Sequence, residues 1–304
     1  MRSPASRQSE RRRHGAGLFV ALVAGVAAVG CSLFVDTSGL DDGTNGGDAT
    51  TVDGPGGDGA SDASDSATEA APPSDAGDAD GPIVSLDGCV LLLHMNEATW
   101  AGSGSVIDSS GQENSGSAVN GAVTTADGKF GRAGLFSGTT WVDVPASPSL
   151  DAPMTQLTLS AWIYPTALTD GGPAPGIISK RESFGMNVAY TLFLNENNLA
   201  FFDLQGDRSN SNSAFANDAW YHVVVVYDGS LSDAGIGAAI YINGALDSVH
   251  PAGPVIDANN QDVLIANLPM GGQIFTGKID EVAIWTRALS ADEIKKLYLA
   301  DHEL

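Results

Sequence analysis

The chain has 304 residues and a formal net charge of −23, from 14 Lys and Arg against 37 Asp and Glu. A surface this acidic repels phosphate backbones and anionic lipid headgroups, so we expect no nucleic-acid partner and favour neutral or cationic partners and divalent cations. Gly, Ala, Asp and Ser are concentrated before about residue 84, which predicts one ordered domain after a long low-complexity segment.

The first 30 residues have the pattern of an export signal. Five arginines precede an apolar run over residues 15–30, which is too short for a comfortable transmembrane span. The run ends in AVGC at residues 28–31, which resembles the lipobox of bacterial lipoproteins, whose cysteine receives diacylglycerol. We therefore predict a signal peptide over residues 1–30 and a lipid anchor on Cys31. The alternative is an ordinary cleaved signal or an uncleaved anchor in which Cys31 is incidental.

The segment over residues 31–83 is rich in Gly, Ala, Asp and Ser and has almost no large apolar residues after Leu40. It cannot bury enough apolar surface to offset its ordering entropy, so we predict a disordered tether. Its aspartates repel one another and extend it, as expected of a spacer between a membrane and a domain. Ser32 follows the cysteine, which by resemblance to Gram-negative sorting rules favours the outer membrane or cell surface.

Short apolar runs separated by Gly, Asn, Asp and Pro begin near residue 84 and predict many strands. Cys89 lies in the first of these runs and is expected to be a buried core residue. Strands at this spacing, with no helical pattern between them, predict a sandwich or jelly roll. The predicted strands cover residues 89–94, 133–136, 141–144, 157–164, 177–179, 190–194, 199–204, 220–227, 238–242, 263–266 and 277–285.

The one predicted helix begins at a capping box formed by Ser290 and Glu293. Ile294 and Leu297 then lie on one face, so the helix is expected to pack against the sandwich. The four valines at residues 223–226 are apolar on both faces, which is typical of a central strand whose outer face is covered.

Six sequence blocks follow one another between residues 130 and 290: FGRAGLFSG, WVDV, LSAWI, WYHVVVVYDG, YING and GKIDEVAIWTRALS. Their order and content resemble the LamG-like jelly-roll domains of the concanavalin A-like superfamily. The resemblance implies an all-β concanavalin A-like jelly-roll sandwich over residues 84–304, with a short C-terminal helix and a disordered linker before it. We expect Trp162, Trp220 and Trp285 to fill the space between the two sheets.

The resemblance also implies a structural calcium ion. Where such domains bind calcium, carboxylate and carbonyl oxygens at loop ends hold it, because this hard cation takes six or more oxygen ligands. The loop at residues 108–116 resembles the corresponding family loop, and Asp280 lies in the last predicted strand. We predict that Asp108, Asn114 and Asp280 bind calcium. The alternative is that Asp108 and Asn114 cap a turn while Asp280 pairs with a nearby lysine or arginine.

Motifs of catalysis are missing from the sequence. There is no Glu-x-Asp-x-x-Glu run of laminarinase-like glycosidases, no nucleophile elbow and no zinc helix. Asp280 and Glu281 are adjacent, and adjacent residues on a regular strand point to opposite faces. His222 is expected to be buried and hydrogen-bonded, and His94 and His250 have no spaced partner that would indicate a metal site. We therefore expect no catalysis.

The resemblance implies that ligands bind to loops at one rim of the sandwich. Insertions are expected at residues 168–176, 206–217 and 228–237, and the segment at 207–213 is rich in side chains that can hydrogen-bond sugars, or it is a solvated turn. We predict a non-catalytic surface lipoprotein that binds an extracellular glycan or protein and touches the membrane only through its lipid anchor. The alternatives are a passive structural or adhesive envelope component and, less favoured, a glycoside hydrolase-like enzyme.

Overall fold

The computed structural model describes residues 84–304, except residues 153, 184–187, 206, 235–236, 252–254, 270–272 and 301. The predicted signal peptide, the predicted lipidation site Cys31 and the predicted tether lie outside the described residues. Within the described ranges, no helix has the length and apolar character needed to cross a membrane.

The described residues form an all-β sandwich, and one α-helix of more than a single turn lies near its C-terminal end. A four-residue helix, α1 (Pro148–Asp151), and a 3₁₀ turn over residues 229–234 lie between strands, and α2 (Ala291–Leu299) follows the last strand. The strands are β1 (Cys89–Leu93), β2 (Ser117–Val119), β3 (Val123–Thr125), β4 (Ala133–Ser137), β5 (Trp141–Val144), β6 (Gln156–Pro165), β7 (Gly176–Lys180), β8 (Tyr190–Leu194), β9 (Leu199–Leu204), β10 (Asp207–Ala214), β11 (Tyr221–Asp228), β12 (Ala238–Ile242), β13 (Ala245–His250), β14 (Val263–Ile265), β15 (Asn267–Leu268), β16 (Gln273–Ile274) and β17 (Thr276–Trp285).

Two antiparallel sheets make up the sandwich. The eight-stranded sheet has the order β13-β12-β11-β6-β17-β4-β3, and β1 pairs with β17 beside β4. The seven-stranded sheet has the order β10-β9-β8-β7-β14-β5-β2. Strands β15 and β16 form a separate short ladder. All eleven predicted strands are present within a residue or two of their predicted ends, and the predicted sandwich is confirmed.

The main hydrophobic core lies between the two sheets. It follows the two-residue period of the strands, because alternate side chains of each strand point inward. On β6 these are Leu159, Ala161 and Ile163, and on β8 they are Leu192 and Leu194, all fully buried.

A second core covers the outer face of the eight-stranded sheet. Val224, from the predicted central strand β11, packs there with Trp285 and with Ile294 and Leu297 of α2. The predicted capping box begins this helix. The Ser290 side chain accepts a hydrogen bond from the backbone amide of Glu293, and the Glu293 side chain accepts one from the backbone amide of Ser290. Helix and central strand are therefore as predicted, and each requires the other for its apolar face to be buried.

The predicted position of the large tryptophans is wrong for two of them. Trp285 belongs to the outer core, and Trp162 lies on the same outer face, where its ring stacks on Tyr298 of α2 with ring centroids 5.7 Å apart. Both alternate with inward-facing aliphatic residues, so the strand period itself sends them outward. Trp220 lies outside the strands and is half-buried.

The turn between β12 and β13 is a tight two-residue hairpin turn. Asn243 and Gly244 both have positive φ, 52° and 74°, as the tight hairpin requires. A Cβ at Gly244 would lie 2.8 Å from the Cβ of Tyr298, so glycine also lets α2 approach the hairpin.

The polar segment expected to be a loop over residues 207–213 is the edge strand β10. Its serines and asparagines are poor strand formers, but an edge strand needs a partner on one side only. The other sheet covers its free side: Asp247 on β13 accepts hydrogen bonds from the backbone amides of Asn212 and Ser213 at 2.5 and 3.2 Å. These contacts join the two sheets at this edge.

Candidate functional site

The outer face of the seven-stranded sheet carries a line of polar side chains, which we call the polar row. Directly paired residues on neighbouring strands share a face. Thr191 on β8 is paired with Ser179 on β7 and with Asp203 on β9, and the line continues to both sides. The polar row consists of Asp143, Ser179, Thr191, Asp203 and Arg208, with Leu264 as its one apolar member.

The middle of the polar row is buried without a full set of hydrogen bonds. Ser179 and Thr191 are 0% exposed, and neither hydroxyl has a hydrogen-bond partner within the described part of the chain. Most buried polar side chains in folded proteins are hydrogen-bonded, because an unpaired one costs free energy.

Charged groups hold the edge of the polar row. The fully buried Asp203 carboxylate contacts the guanidinium groups of Arg181 and Arg208, each at 3.4 Å. Burial lowers the pKa of Arg181, and the nearby Asp203 carboxylate opposes that effect. Arg208 is 41% exposed, so this side chain extends from the row towards solvent.

A cavity of about 350 Å³ opens beside this end of the polar row. Phe193 and Phe201 are cross-strand partners whose ring centroids lie 5.1 Å apart at 49°, and they form its aromatic floor. Arg208 and Asn195 lie in its wall together with the insertion at residues 172–174. Of the three expected insertions, the first therefore lines a cavity, while most of the second is β10.

The three residues predicted to bind calcium fall into two separate sets of described hydrogen bonds. Asp108 and Asn114 share their loop, where the Asn114 backbone amide donates to Asp108 Oδ2 at 2.8 Å. Asp280 lies on β17 and accepts from the backbone amides of Lys129 and Phe130 at 2.8 and 3.0 Å. The described contacts of the two carboxylates have no residue in common.

The hydrogen bonds of Asp108 leave little room for a cation. Oδ1 accepts from the backbone amides of Leu92 and Ser110, and Oδ2 accepts from the Ser110 hydroxyl and the Asn114 amide. Each oxygen thus has two donors, which occupy the lone pairs that calcium would need. The arrangement fits turn capping better than calcium. Calcium binding by Asp108, Asn114 and Asp280 stays a prediction that titration decides.

The prediction that Asp280 and Glu281 point to opposite faces of the sheet is wrong, because β17 is irregular at these residues. A β-bulge lies between Asp280 and Ala283, and Glu281 has a φ of 48°. Ile279 and Val282 face the inner core, and both acidic residues between them lie on the outer side. Burial raises the pKa of Asp280 to about 7, against the backbone hydrogen bond from Phe130.

The bulge also brings Glu281 to a histidine for which the sequence indicated no partner. His94 follows β1 directly, and its Nδ1 lies 2.9 Å from Glu281 Oε1. Burial alone would lower the pKa of His94, but the hydrogen bond and charge of Glu281 outweigh it, so the pKa lies above its usual value. Pairing between β1 and β17 causes this contact, and spacing along the chain gives no sign of it.

Glu281 also lines a very small cavity with His222 and Trp162. Its volume is about 10 Å³, room for about one water molecule and too little for a sugar ring. His222 is buried as predicted, with Nε2 3.0 Å from the Ser160 hydroxyl, and burial lowers its pKa to about 3. A cavity of this size cannot hold a glycosidic bond between Glu281 and a second carboxylate.

A larger apolar groove lies on the outer face of the eight-stranded sheet, beside the first turn of α2. It has a volume of about 430 Å³ and is lined by Tyr241, Leu246 and Val249 among others. Leu246 is 56% exposed and Val249 48%. The helix covers the middle strands of this sheet and leaves this apolar edge open.

Comparison with known families decides the membership of the chain. The model described as the concanavalin A-like lectin/glucanases superfamily matches residues 136–295, just over half of the sequence. The chain belongs to this superfamily. The match spans five of the six sequence blocks in full and the first in part, and it includes strands of both sheets.

Solved structures of the superfamily fold agree with this assignment. Domain 4 of AbnA, an extracellular arabinanase of Geobacillus stearothermophilus solved in complex with arabinotriose, is 17% identical, covers 69% of this chain and 98% of its own, and has a TM-score of 0.53. A structure of botulinum neurotoxin type C, whose cell entry is described as dependent on interaction with two ganglioside molecules, is 17% identical over 70% of this chain and 51% of its own, with a TM-score of 0.54. At such identities the likeness shows the fold.

One curated protein was also similar in sequence. Adhesion G-protein coupled receptor V1 of Danio rerio is 25% identical over 177 residues, which make up 56% of this chain and 3% of the receptor. The chain thus spans only a small part of the curated relative that it matches.

Proposed function

We propose that this superfamily member is a non-catalytic carbohydrate-binding domain, held outside the cell by a lipid anchor on Cys31 and an extended tether over residues 31–83. The observation that carries the proposal is the cavity beside the polar row, where an aromatic floor meets polar and charged groups. Its volume of about 350 Å³ lies within the range of small-molecule sites.

The chemistry of the cavity suits a sugar. The apolar face of a sugar ring packs on aromatic rings, and Phe193 and Phe201 offer such a surface at the floor. Sugar hydroxyls need donors and acceptors at the rim, which Arg208 and Asn195 supply. A net charge of −23 disfavours acidic glycans, so we expect a neutral oligosaccharide.

The relatives support a carbohydrate ligand over a reaction. Domain 4 of AbnA was solved with arabinotriose, and the cell entry of botulinum neurotoxin type C is linked to gangliosides. The small volume of the cavity at Glu281 argues against glycoside hydrolysis there.

A glycan array probed with the purified chain tests the proposal. We expect the wild-type chain to bind at least one class of neutral oligosaccharide, with arabinotriose included as a probe. Phe201→Ala should abolish the signal, because it removes half of the aromatic floor, while Leu246→Ala on the opposite sheet should leave it unchanged. A parallel array with chelator tests the calcium prediction, since a calcium-dependent ligand site would lose its signal.

A protein ligand is the second candidate, and the apolar groove at Leu246 and Val249 favours it. Exposed apolar patches of this kind often mark protein-binding surfaces. A binding domain of botulinum neurotoxin DC, with a TM-score of 0.54 to this chain, was solved with rat synaptotagmin II. A blank array, combined with a cell-surface protein whose capture depends on Leu246, would favour this second function over the first.

A further inference from the structure

A histidine and two glutamates from distant parts of the chain meet on the outer side of the eight-stranded sheet. We call His94, Glu281 and Glu303 the metal cluster. One ligand atom from each side chain lies within 4.8 Å of the other two. His94 Nδ1 is 2.9 and 3.1 Å from the two oxygens of Glu281. Glu303 reaches the group from the last residues of the chain.

The fold creates this cluster in two steps. Pairing of Leu93 with Val282 places the end of β1 beside the bulge of β17, and the bulge turns Glu281 to the outer side. The backbone amide of Leu304 then donates to Glu281 Oε2 at 3.3 Å, which brings Glu303 alongside. Contacts that are independent of a metal therefore bring the three side chains together, and Asn96 Nδ2 also donates to Glu303 Oε2.

An independent observation comes from the small cavity next to the cluster. His222 lines this cavity together with Glu281. The ring is 2% exposed, its Nε2 contacts Ser160, and its Nδ1 has no hydrogen-bond partner among the residues that the structure describes. The cavity has room for one water molecule, which would reach a cation on Glu281 and donate to the neutral His222 ring.

We propose that His94, Glu281 and Glu303 bind one divalent transition-metal ion of the zinc class. Zinc takes imidazole nitrogen and carboxylate oxygen at about 2.0–2.2 Å in tetrahedral geometry, which places ligand atoms about 3.4 Å apart. The separations of 2.9 and 3.1 Å between His94 and Glu281 are close to that value, and the ligand atom of Glu303 lies within 4.8 Å of both residues. Calcium and magnesium prefer oxygen ligands alone, so the histidine selects against them.

The expected consequence of binding is structural. Leu304 packs against the outer core, and its neighbour Glu303 is exposed. A metal ion would fasten residues 302–304 to β1 and β17 and would protect the part of the outer core beneath them. The strongly acidic surface raises the local concentration of cations at such a site.

Titration of the full chain with zinc chloride, without a polyhistidine tag, tests this inference. We expect isothermal titration and native mass spectrometry to show one zinc ion per chain. His94→Gln should weaken binding by on the order of 100-fold, because loss of a direct ligand costs at least as much as loss of an outer-shell contact. Glu303→Gln should also weaken binding, and it cannot act through misfolding, since its side chain lies on the surface.

Two variants serve as matched controls. His250→Gln removes another partly buried histidine, and Glu113→Gln another exposed glutamate, and both should bind zinc like the wild type. The inference is overturned if the wild type takes up no zinc, if calcium binds in its place, or if Glu303→Gln binds zinc as tightly as the wild type. None of these readouts depends on a carbohydrate ligand.

Discussion

The two outer faces of the sandwich differ in the side chains that they carry. On the eight-stranded sheet, helix α2 covers Trp285 and Val224 and closes a second hydrophobic core. On the seven-stranded sheet, the corresponding face carries the polar row with Ser179 and Thr191 at its centre. One outer face thus contains a second hydrophobic core, and the other carries a row of polar groups. The face to test for a ligand is therefore the polar outer face of the seven-stranded sheet.

The largest expected effect separates the aromatic residues of the two faces. Trp285→Ala should lower the free energy of unfolding by about 3–5 kcal/mol, because it empties a fully buried site in the outer core. Phe201→Ala should cost less than about 2 kcal/mol, because that ring is half-buried. Urea unfolding followed by fluorescence measures both. Equal losses in the free energy of unfolding would show that the aromatic residues of the two faces contribute equally to stability.

Two buried serines, one on each outer face, test how far polar groups stabilise each face. Ser160 and Ser179 are both buried on outer faces, but only Ser160 has a described hydrogen bond, to His222 at 3.0 Å. Ser160→Ala should cost about 1–3 kcal/mol, because it leaves the histidine nitrogen buried and unpaired. Ser179→Ala should change stability by less than about 0.5 kcal/mol, since no bond is lost. A larger loss at Ser179 in the same urea series would show that the polar row supports the fold.

The cap of α2 gives a smaller effect on the covered face. Ser290→Ala should lower stability by about 1 kcal/mol, because one backbone amide of the first turn loses its acceptor. Ser230→Ala, which removes the exposed hydroxyl bonded to Asp228, is the control and should cost less. If the two variants unfold at the same urea concentration, the cap contributes nothing beyond an ordinary surface bond.

The smallest expected effect is a dependence on pH at the same cap. The hydrogen bond from Arg287 lowers the pKa of Glu293 to about 2, from an ordinary value near 4.5. Since the folded pKa is the lower one, the stabilisation is complete above pH 4.5 and is lost as the pH falls towards 2. Glu293→Gln should therefore flatten the acid side of the stability curve between these values. An unchanged curve would mean that solvent screens the pair completely.

Much of the fold follows from the sequence because strand period and turn chemistry are local signals. The predicted strands and the predicted capping box of α2 are present, and Asn-Gly at residues 243–244 forms the tight turn that its chemistry favours. Strand β10 was missed because its serines and asparagines have low strand propensity, and only pairing with β9 and the contacts of Asp247 keep it extended. Two tryptophans were placed on the wrong face because size was given more weight than alternation.

The candidate site was less accessible to sequence reasoning. Thr191 and Asp203 stand in predicted apolar strands, and polar residues at such positions were a usable signal for the polar row. The contact of His94 with Glu281 gave no such signal, since 187 positions separate the residues and a bulge sets the direction of the second. Irregular backbone of this kind depends on tertiary contacts that no local pattern encodes.

Amide hydrogen exchange can show directly whether the ligand binds to the outer face of the seven-stranded sheet. Amide hydrogen exchange of the chain should be measured by mass spectrometry, with and without the neutral oligosaccharide selected by the array. The account predicts slower exchange over residues 190–214 in β8, β9 and β10, and no change in β13 or α2. Slower exchange confined to residues 238–250 and 291–299, or no protection at a saturating concentration, would contradict it.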